Sequence, residues 1–536
     1  MTNSALVLGG TIEGVQAALD IANSGIEVIL IEKSFSLDNE IQNENIFLRP
    51  KFLELASHPN IRIIAGVDVD EITGERGSFR IKGLQHPRYV DTESCVSCGR
   101  CELACSVNIV SHEGGRANKA HKAIHMPAER TKSIPSTCIV EKTGVAPCTA
   151  ACPAGINVQG YVSLISKGKL REALDLIREA IPFPHILGRV CTHPCENACT
   201  RGKVDQPIAI ATLKRYLADM EPSQYTLIAT QVIAPDSPSR VAIIGSGPAG
   251  LTCARDLVRM GHNSTVFEAL PVAGGMVAVG MPRFRLPREV REAEINAITN
   301  LGIEIKTNMP IGKDLTLDDL KQRGYEAIFI ASGAHKNATL DIPGEDLEGV
   351  IDSIELLRNV NLKRPTDIGK NVVVVGGGYT AIDSARTAIR LHCNNVRILY
   401  RRTADEMYAT KAELLETIEE GVDMTFLAAP IRIVGENGKV VGIECQEMVL
   451  GEPDESGRKS PVPVEGSSFI FECDTVIPAI GQLPDLDIFN HGNIRLDNNG
   501  RTLTVNPLTL RTNEEGILAG GDVVSGPRSM VEAVGD

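Results

Sequence analysis

The sequence predicts an α/β chain built on repeated β-α-β units, with a small helical, cysteine-rich portion ahead of the main pair. Three observations carry this. An apolar run, a glycine turn, a helix and a second strand follow one another over residues 241–269, and the same order returns over 371–402. A third copy, with a damaged turn, opens the chain. Ten of the 14 cysteines fall between Cys95 and Cys199, outside all three copies.

The stretch 241–269 organises the rest. Residues 241–244 read as a buried parallel strand, and Gly245-Ser246-Gly247-Pro248-Ala249-Gly250 opens an amphipathic helix. Gly245 makes the tight turn, Gly247 lets the backbone approach a pyrophosphate, and Gly250 lets helix and strand pack closely. The helix N-terminus then meets the phosphate charge. Glu268 ends the second strand, where a carboxylate accepts hydrogen bonds from a ribose. Strand, turn, helix, strand and acid in this order predict a bound dinucleotide.

Composition bounds the function. A chain of 536 residues allows roughly three to five domains. The net charge of −14 argues against nucleic acid and anionic membrane as partners. No apolar run reaches the length of a membrane span, and no basic, apolar signal segment opens the chain. A cytoplasmic protein is the expectation. Cysteines clustered in such a chain predict metal binding rather than disulfides.

Residues 1–88 repeat the β-α-β grammar with strands at 5–8 and 28–31, a helix over 12–23 and Glu32 at the second strand's end. Further strands are expected at 61–65 and 78–81. In the turn Gly9-Gly10-Thr11-Ile12-Glu13-Gly14, Thr11 stands where the close-approach glycine belongs and Glu13 adds like charge beside any phosphate. This unit is therefore expected to be a degenerate Rossmann-like relic without a flavin. Over residues 89–135, Cys95, Cys98, Cys101 and Cys105 form the C-x2-C-x2-C-x3-C run of bacterial ferredoxins, with Ser106 in place of the usual proline. Zinc sites prefer two separated cysteine pairs, so a 4Fe-4S cluster is predicted. Residues 111–135 read as a polar connector. His121 and His125 stand four apart within it, more simply read as solvated than as metal ligands. Over 136–222, Cys138, Cys148 and Cys152 are followed by an amphipathic helix over 169–179 and then by Cys191, Cys195 and Cys199. Ten thiolates suffice for two cubane clusters, and a third would need two other ligands. Cys105, Cys138, Cys148 and Cys152 could cross-connect as in a two-cluster ferredoxin, an assignment spacing leaves open.

Residues 221–240 read as a linker around a short strand. The second full turn, Gly376-Gly377-Gly378-Tyr379-Thr380-Ala381, follows the strand 371–375 and opens a helix over 383–391. Its next strand, 396–400, ends in Arg401 and Arg402 instead of an acid. An acid would repel a 2′-phosphate and an arginine pair would bind it, which favours NADP over NAD. Apolar strands running into tight turns recur at 325–334, 474–482 and 516–522, the last placing Asp522 to meet a flavin's ribityl chain. No Cys-x-x-Cys pair accompanies the nicotinamide unit, which disfavours thioredoxin-reductase chemistry.

Two resemblances follow from these residues. Through the opening unit, the stretches at 48–53 and 58–61, residues 87–91 leading into the cysteine run and residues 122–127, the N-terminal region resembles the flavin-carrying subunit of heterodisulfide reductase. Through Ala151-Cys152-Pro153-Ala154-Gly155-Ile156-Asn157, Gly188-Arg189-Val190-Cys191 and Pro207-Ile208-Ala209-Ile210, and throughout from residue 241, the chain resembles the small subunit of glutamate synthase and the N-terminal part of dihydropyrimidine dehydrogenase. The second resemblance covers 138–536. It implies cofactor contacts at Gly275, Met276, Gly333, Gly481, Gly521 and Asp522, the last two closing over FAD. Two further family cysteines would fall at Val140 and Thr143, and a Glu or Gln ligand would fall at Lys214. The family also expects a helix closing the chain beyond Gly535-Asp536.

The expected architecture is thus a degenerate Rossmann-like region (1–88), a ferredoxin-like 4Fe-4S segment (89–135), a helical iron–sulphur domain (136–222) and an FAD-binding domain in two parts (236–365 and 471–536) around an NAD(P)-binding domain (366–470). The expected activity is electron transfer between NADPH, FAD and 4Fe-4S clusters, to or from a partner redox subunit or ferredoxin-like protein in a hetero-oligomeric complex. No general base or nucleophile is needed. The rival readings are a non-catalytic electron-transfer scaffold and an electron-bifurcating heterodisulfide-reductase-like subunit.

Overall fold

The computed structural model describes residues 4–37, 49–75, 77–105, 107–110, 120–127, 134–142, 145–220, 239–313, 315–454, 457–489 and 493–536. Leu48, Ser106, Thr143, most of the connector 111–135 and the linker 221–238 lie outside the described residues. The chain forms two compact units, Met1–Ala146 with Cys199–Pro207, and Pro147–Ala198 with Ile208–Asp536.

In the first unit, the strands Ser4–Leu8, Glu27–Glu32 and Ile61–Ala65 pair in parallel in that order. The helix Ile12–Asn23 buries Val15, Ala18, Leu19 and Ala22, an i, i+3, i+4, i+7 stripe, against Val28 and Leu30. The strand expected at 78–81 lies at Arg80–Gln85, in an antiparallel hairpin with Val67–Thr73. Short strands Ala120–Lys122, Ile124–His125 and Ile139–Val140 follow.

The second unit holds two parallel sheets. One runs Glu304–Lys306, Asn263–Phe267, Arg240–Ile244, Ala327–Ile330, Ile517–Ala519. Its central strand is buried from Val241 through Ile244, as a strand covered on both faces requires. The last strand returns from the chain's far end to pair with Ala327–Ile330. The other sheet runs Asp423–Phe426, Asn395–Tyr400, Asn371–Val375, Thr475–Pro478. Thr475–Pro478, which falls in the expected second FAD part, pairs in parallel with Asn371–Val375. The antiparallel strands Ala428–Glu436, Lys439–Pro453 and Lys459–Glu472 form a third sheet that the sequence does not announce.

Helices Val158–Ser166, Leu170–Ala180, Pro184–Val190 and Ile210–Asp219 build the cysteine-bearing part of this unit. They have no separate core. Ile177, Ile186 and Leu187 share one apolar cluster with Leu251 and Ala254 of the helix Pro248–Arg259 and with Ile298 and Val534.

Glu294 fastens the same junction. Its buried carboxylate accepts the His185 N–H at 2.6 Å and the Ile186 N–H at 2.9 Å, satisfying two orphan donors at the start of Pro184–Val190. Glu294→Ala leaves both donors unmatched and is expected to cost roughly 2–4 kcal/mol, read as a lowered unfolding midpoint. Burial pushes the Glu294 carboxyl up to about 8 from its ordinary 4.5. A pKa raised on folding contributes stability that is present below the unfolded value and is lost as pH rises through the folded one. Wild type should therefore lose stability relative to Glu294→Gln between pH 4.5 and about 8; a flat difference would remove the proton from this account.

Candidate redox site

The first glycine turn is shaped so that only glycine fits at two of its places. Gly245 has φ +102°, and a Cβ there would overlap the Ala331 carbonyl. A Cβ on Gly250 would overlap the carbonyl oxygen of Gly245. Gly247 differs. It caps the helix Pro248–Arg259 at φ −68°, ψ −179°, and a Cβ there would meet no protein atom within 4 Å. Pro248 occupies the first turn without costing a hydrogen bond, and Ala249 is buried behind it. The missing Cβ of Gly247 faces space, which is what an approaching pyrophosphate needs.

Glu268 stands at the end of the second strand as expected, but it also braces the turn. Its carboxylate accepts Ser246 N at 3.0 Å, Ser246 Oγ at 2.5 Å and Leu270 N at 2.8 Å. A carboxylate has about four lone-pair sites, so one is left for a ribose hydroxyl. Gly274 N donates to Ser246 O at 3.1 Å, and a Cβ on Gly275 (φ +55°) would lie 2.8 Å from Gly247 Cα. The loop leading to Met276 thus folds down onto the turn. Beyond the strand Ala327–Ile330, Ser332 Oγ is buried with no hydrogen-bond partner, next to Gly333 at φ +69°. A Cβ on Gly521 would lie 3.0 Å from Ala249 Cβ. The neighbouring Asp522 carboxyl is pushed up to about 6 by burial and accepts Arg528 N at 3.1 Å. An open glycine position, an orphaned buried hydroxyl and a returning loop against one turn fit FAD.

The second turn repeats the design. Gly376 has φ +145°, and a Cβ there would overlap the Ala479 carbonyl. Gly378 caps the helix Tyr379–Arg390 in extended backbone, and a Cβ on it would meet nothing within 4 Å. Thr380 Oγ1 accepts Gln482 Nε2 at 2.9 Å beside Gly481, also open around its missing Cβ. These residues fit a second dinucleotide. The arginine pair is split, however. Arg401 is exposed, whereas Arg402 is buried, with Nε donating to Lys459 O at 2.7 Å and Nη2 to Asp454 Oδ2 at 2.6 Å. Both follow the end of the strand Asn395–Tyr400, and there the chain sends one arginine to solvent and the other into the protein.

Two polar clusters near these turns, one around Arg285 and one around His335, carry no clear mark in the sequence. Arg285 bridges Asp383, at 3.0 Å from Nε, and Glu413, at 2.6 Å from Nη1. This ties the 280–287 stretch to the nicotinamide helix, and burial pushes Asp383 up to about 7. His335, two residues past Gly333, is pushed down to about 4 by burial and by Arg358, whose Nη2 lies 3.4 Å from His335 Nδ1. The glycine-rich stretches flanking Arg285 and His335 were the available signal.

The thiols gather in each unit, and none is joined in a disulfide. In the first, Cys101 Sγ lies 3.8 Å from Cys138 Sγ. Backbone N–H groups of Cys138 and Ser97 point at the Cys95 sulphur and hold that thiol below its ordinary range. Cys138 is buried and pushed up to about 12 by burial, then by Cys101 and Cys95. Cys98 is exposed, and Cys105 Sγ faces Val107 O at 3.5 Å. Cys199 is also buried in this unit, ahead of the short helix Thr200–Lys203. In the second unit burial raises the pKa of the Tyr161 hydroxyl, and the nearby Cys195, Cys152, Cys191 and Cys148 raise it further. Cys195 is pushed up to about 12 by burial and then by Cys191, while the buried Lys214 pulls the other way. A buried ammonium near the Cys195 thiol suits an anionic cluster, although ammonium itself cannot ligate iron.

Two dinucleotide turns in one unit, together with gathered thiols, define an FAD-dependent NAD(P)H oxidoreductase with 4Fe-4S domains. The chain belongs to the pyridine nucleotide-disulphide oxidoreductase family, whose model matches residues 239–536. The model for dihydropyrimidine dehydrogenase domain II, 4Fe-4S cluster, matches 116–226, and a 4Fe-4S binding domain matches 88–111. The chain is 44% identical over 412 residues to the NADP(+)-dependent formate dehydrogenase subunit beta of Moorella thermoacetica, covering 73% of this chain and 58% of that one. It is 43% identical over 421 residues to the NADPH-Fe(3+) oxidoreductase subunit beta of Geobacter sulfurreducens, covering 73% and 62%. The glutamate synthase [NADPH] small chain of Halomonas elongata is 36% identical over 72% of this chain and 84% of its own. The chain therefore spans about three fifths of the first two relatives. Among the described residues, no helix is long and apolar enough to cross a membrane.

Proposed function

We propose that this chain is the nicotinamide-oxidising subunit of a larger oxidoreductase complex, taking electrons from NADPH and passing them singly to a partner redox subunit. FAD, when bound, supplies the exchange between two-electron and one-electron carriers. The protein's part is positional. Gly245, Gly247 and Gly250 admit one pyrophosphate at the helix N-terminus, and Gly376 and Gly378 admit another. Arg401 reads the 2′-phosphate. Ser332 and Asp522 offer hydrogen bonds to the flavin, and the neutral His335 keeps a second positive charge away from it.

One observation carries this reading: the helix that begins at the flavin turn, Pro248–Arg259, shares its apolar core with the thiol-bearing helices. Gly535 presses against the Pro153 carbonyl, next to Cys152, from the chain's last helix. Flavin site and thiols are thus held at fixed separation. The relatives named as beta subunits support an electron acceptor on a partner chain. Anaerobic stopped-flow mixing with NADPH tests the reading: flavin bleaching should precede the electron paramagnetic resonance signal of reduced clusters. Clusters that reduce while the flavin stays oxidised would defeat it.

Cys138 serves in this reading as the fourth thiolate of the cluster begun by Cys95, Cys98 and Cys101. Cys138→Ser should remove about four irons per chain while NADPH still bleaches the flavin. Cys105→Ser should leave the iron count unchanged. The reverse pattern would restore Cys105 as the ligand.

A further inference from the structure

Three side chains in the first unit converge without any role in the chemistry above. His121 lies on the strand Ala120–Lys122, His125 on Ile124–His125, and Glu141 follows Ile139–Val140. Backbone pairing sets their meeting: His125 pairs with Ile139, and Glu141 N donates to Ala123 O at 2.7 Å. Glu141 Oε2 lies 2.6 Å from His121 Nε2 and 3.9 Å from His125 Nε2. The rings meet edge to face with centroids 4.3 Å apart. One ligand atom from each residue falls within 4.8 Å of the others.

The tautomer of His125 follows from its surroundings. Its Nδ1 lies 3.0 Å from the Lys122 carbonyl oxygen, which can only accept. The proton therefore sits on Nδ1, and Nε2 presents a lone pair toward a carboxylate oxygen. That oxygen already accepts the His121 Nε2 proton, so it offers the His125 lone pair no donor, and the space between them is suited to a cation. A ligating histidine held through its other nitrogen by a backbone carbonyl is the usual outer support of a metal site.

We propose that His121, His125 and Glu141 bind one divalent first-row transition ion of the zinc class, separate from the iron–sulphur thiolates. Two imidazoles and a carboxylate suit such an ion, and three protein ligands leave a position for water. In the empty site His121 Nε2 donates its proton to Glu141. On binding, the ion takes the place of that proton, which leaves to solvent or moves to Nδ1, and the Nε2 lone pair faces the ion. The ion staples the strands on either side of residues 126–138, and so fixes Cys138, which directly precedes Ile139.

The test uses holoprotein with its clusters intact, stripped of loose metal by brief chelation and then titrated with Zn²⁺. One zinc per chain should bind, and zinc-edge X-ray absorption should show nitrogen and oxygen neighbours at about 2.0–2.1 Å with no sulphur shell at about 2.3 Å. His125→Ala and Glu141→Ala should each weaken zinc by about 100-fold or more, since even outer-support losses cost 10–100-fold, with iron content unchanged. Absence of zinc uptake, a sulphur shell around it, or undiminished affinity in the double variant His121→Ala, His125→Ala would overturn the proposal. The absorption spectrum of wild type decides the matter even where a variant fails to fold.

Discussion

Gly247→Thr is expected to yield a folded chain that no longer holds flavin. The backbone there is extended, φ −68°, ψ −179°, and a Cβ would meet no protein atom within 4 Å, so the protein itself tolerates a side chain. The pyrophosphate would not. Overpacking costs roughly 1–3 kcal/mol or more, and 1.4 kcal/mol is about tenfold in binding, so FAD affinity should fall by roughly 10–100-fold or more. Gly250→Val is the contrast: its Cβ overlaps the Gly245 carbonyl, so fold and flavin should fail together. Flavin released on gel filtration, with circular dichroism as the fold control, measures both. A Gly247→Thr protein retaining a full complement of FAD would mean that the pyrophosphate does not pass this turn.

Nature has made the same substitution in the N-terminal unit. Thr11 caps its helix at φ −67°, ψ 173°, the backbone of Gly247. Gly9 has φ +96° against +102° at Gly245, and a Cβ on Gly14 would overlap the Gly9 carbonyl just as one on Gly250 overlaps Gly245. Glu32 accepts Gly10 N at 2.5 Å and Ser34 N at 2.8 Å, as Glu268 accepts Ser246 and Leu270. What differs is the surface a phosphate would meet. The Thr11 hydroxyl bonds the Glu13 carboxylate, which is held below its usual range by its own backbone N–H and by Thr11. The helix N-terminus already has its anion. This unit keeps the shape of a dinucleotide turn while Thr11 and Glu13 occupy the phosphate's place, so one FAD per chain is expected; two flavins extracted per chain would overturn that count.

Glycine turns are legible in a sequence because their constraint is local: a left-handed φ or an overlap with a carbonyl five residues away leaves its mark within six positions. The helix at 12–23 was legible from its apolar stripe for the same reason. The illegible parts depend on partners far along the chain. Cys138 meets Cys101 across 37 residues, through short strands whose composition carries little signal. Glu294 caps a helix more than a hundred residues earlier, and nothing near Glu294 announces that helix end. The antiparallel sheet between residues 428 and 472 stayed hidden because its strands are mixed in exposure, interrupted by bulges, and lack a clean alternation.

Arg402 is the sharpest such case, and it changes the expected behaviour of the arginine pair. Arg401→Ala should weaken NADPH by roughly 10–100-fold, because a charge-assisted hydrogen bond is worth about 1.5–3 kcal/mol. NADH lacks the phosphate and should change by only a few-fold. Arg402→Ala should act on the fold instead. Its guanidinium is 5% exposed and paired with Asp454 52 residues away, at the edge of the antiparallel sheet that the sequence kept hidden. Breaking a fully buried pair costs about 3–5 kcal/mol. Asp454 remains 30% exposed and recovers some hydration, so about 2–3 kcal/mol is expected here. NADPH and NADH should then lose affinity together, in step with the lowered unfolding midpoint, while FAD in the other sheet stays bound. Flavin bleaching with each nucleotide, set beside thermal unfolding of both variants, separates the two roles. A wild-type preference for NADH would remove the phosphate from the account. An Arg402→Ala protein of undiminished stability that loses only NADPH would return this residue to the phosphate, and would require its link to Asp454 to open when the nucleotide binds.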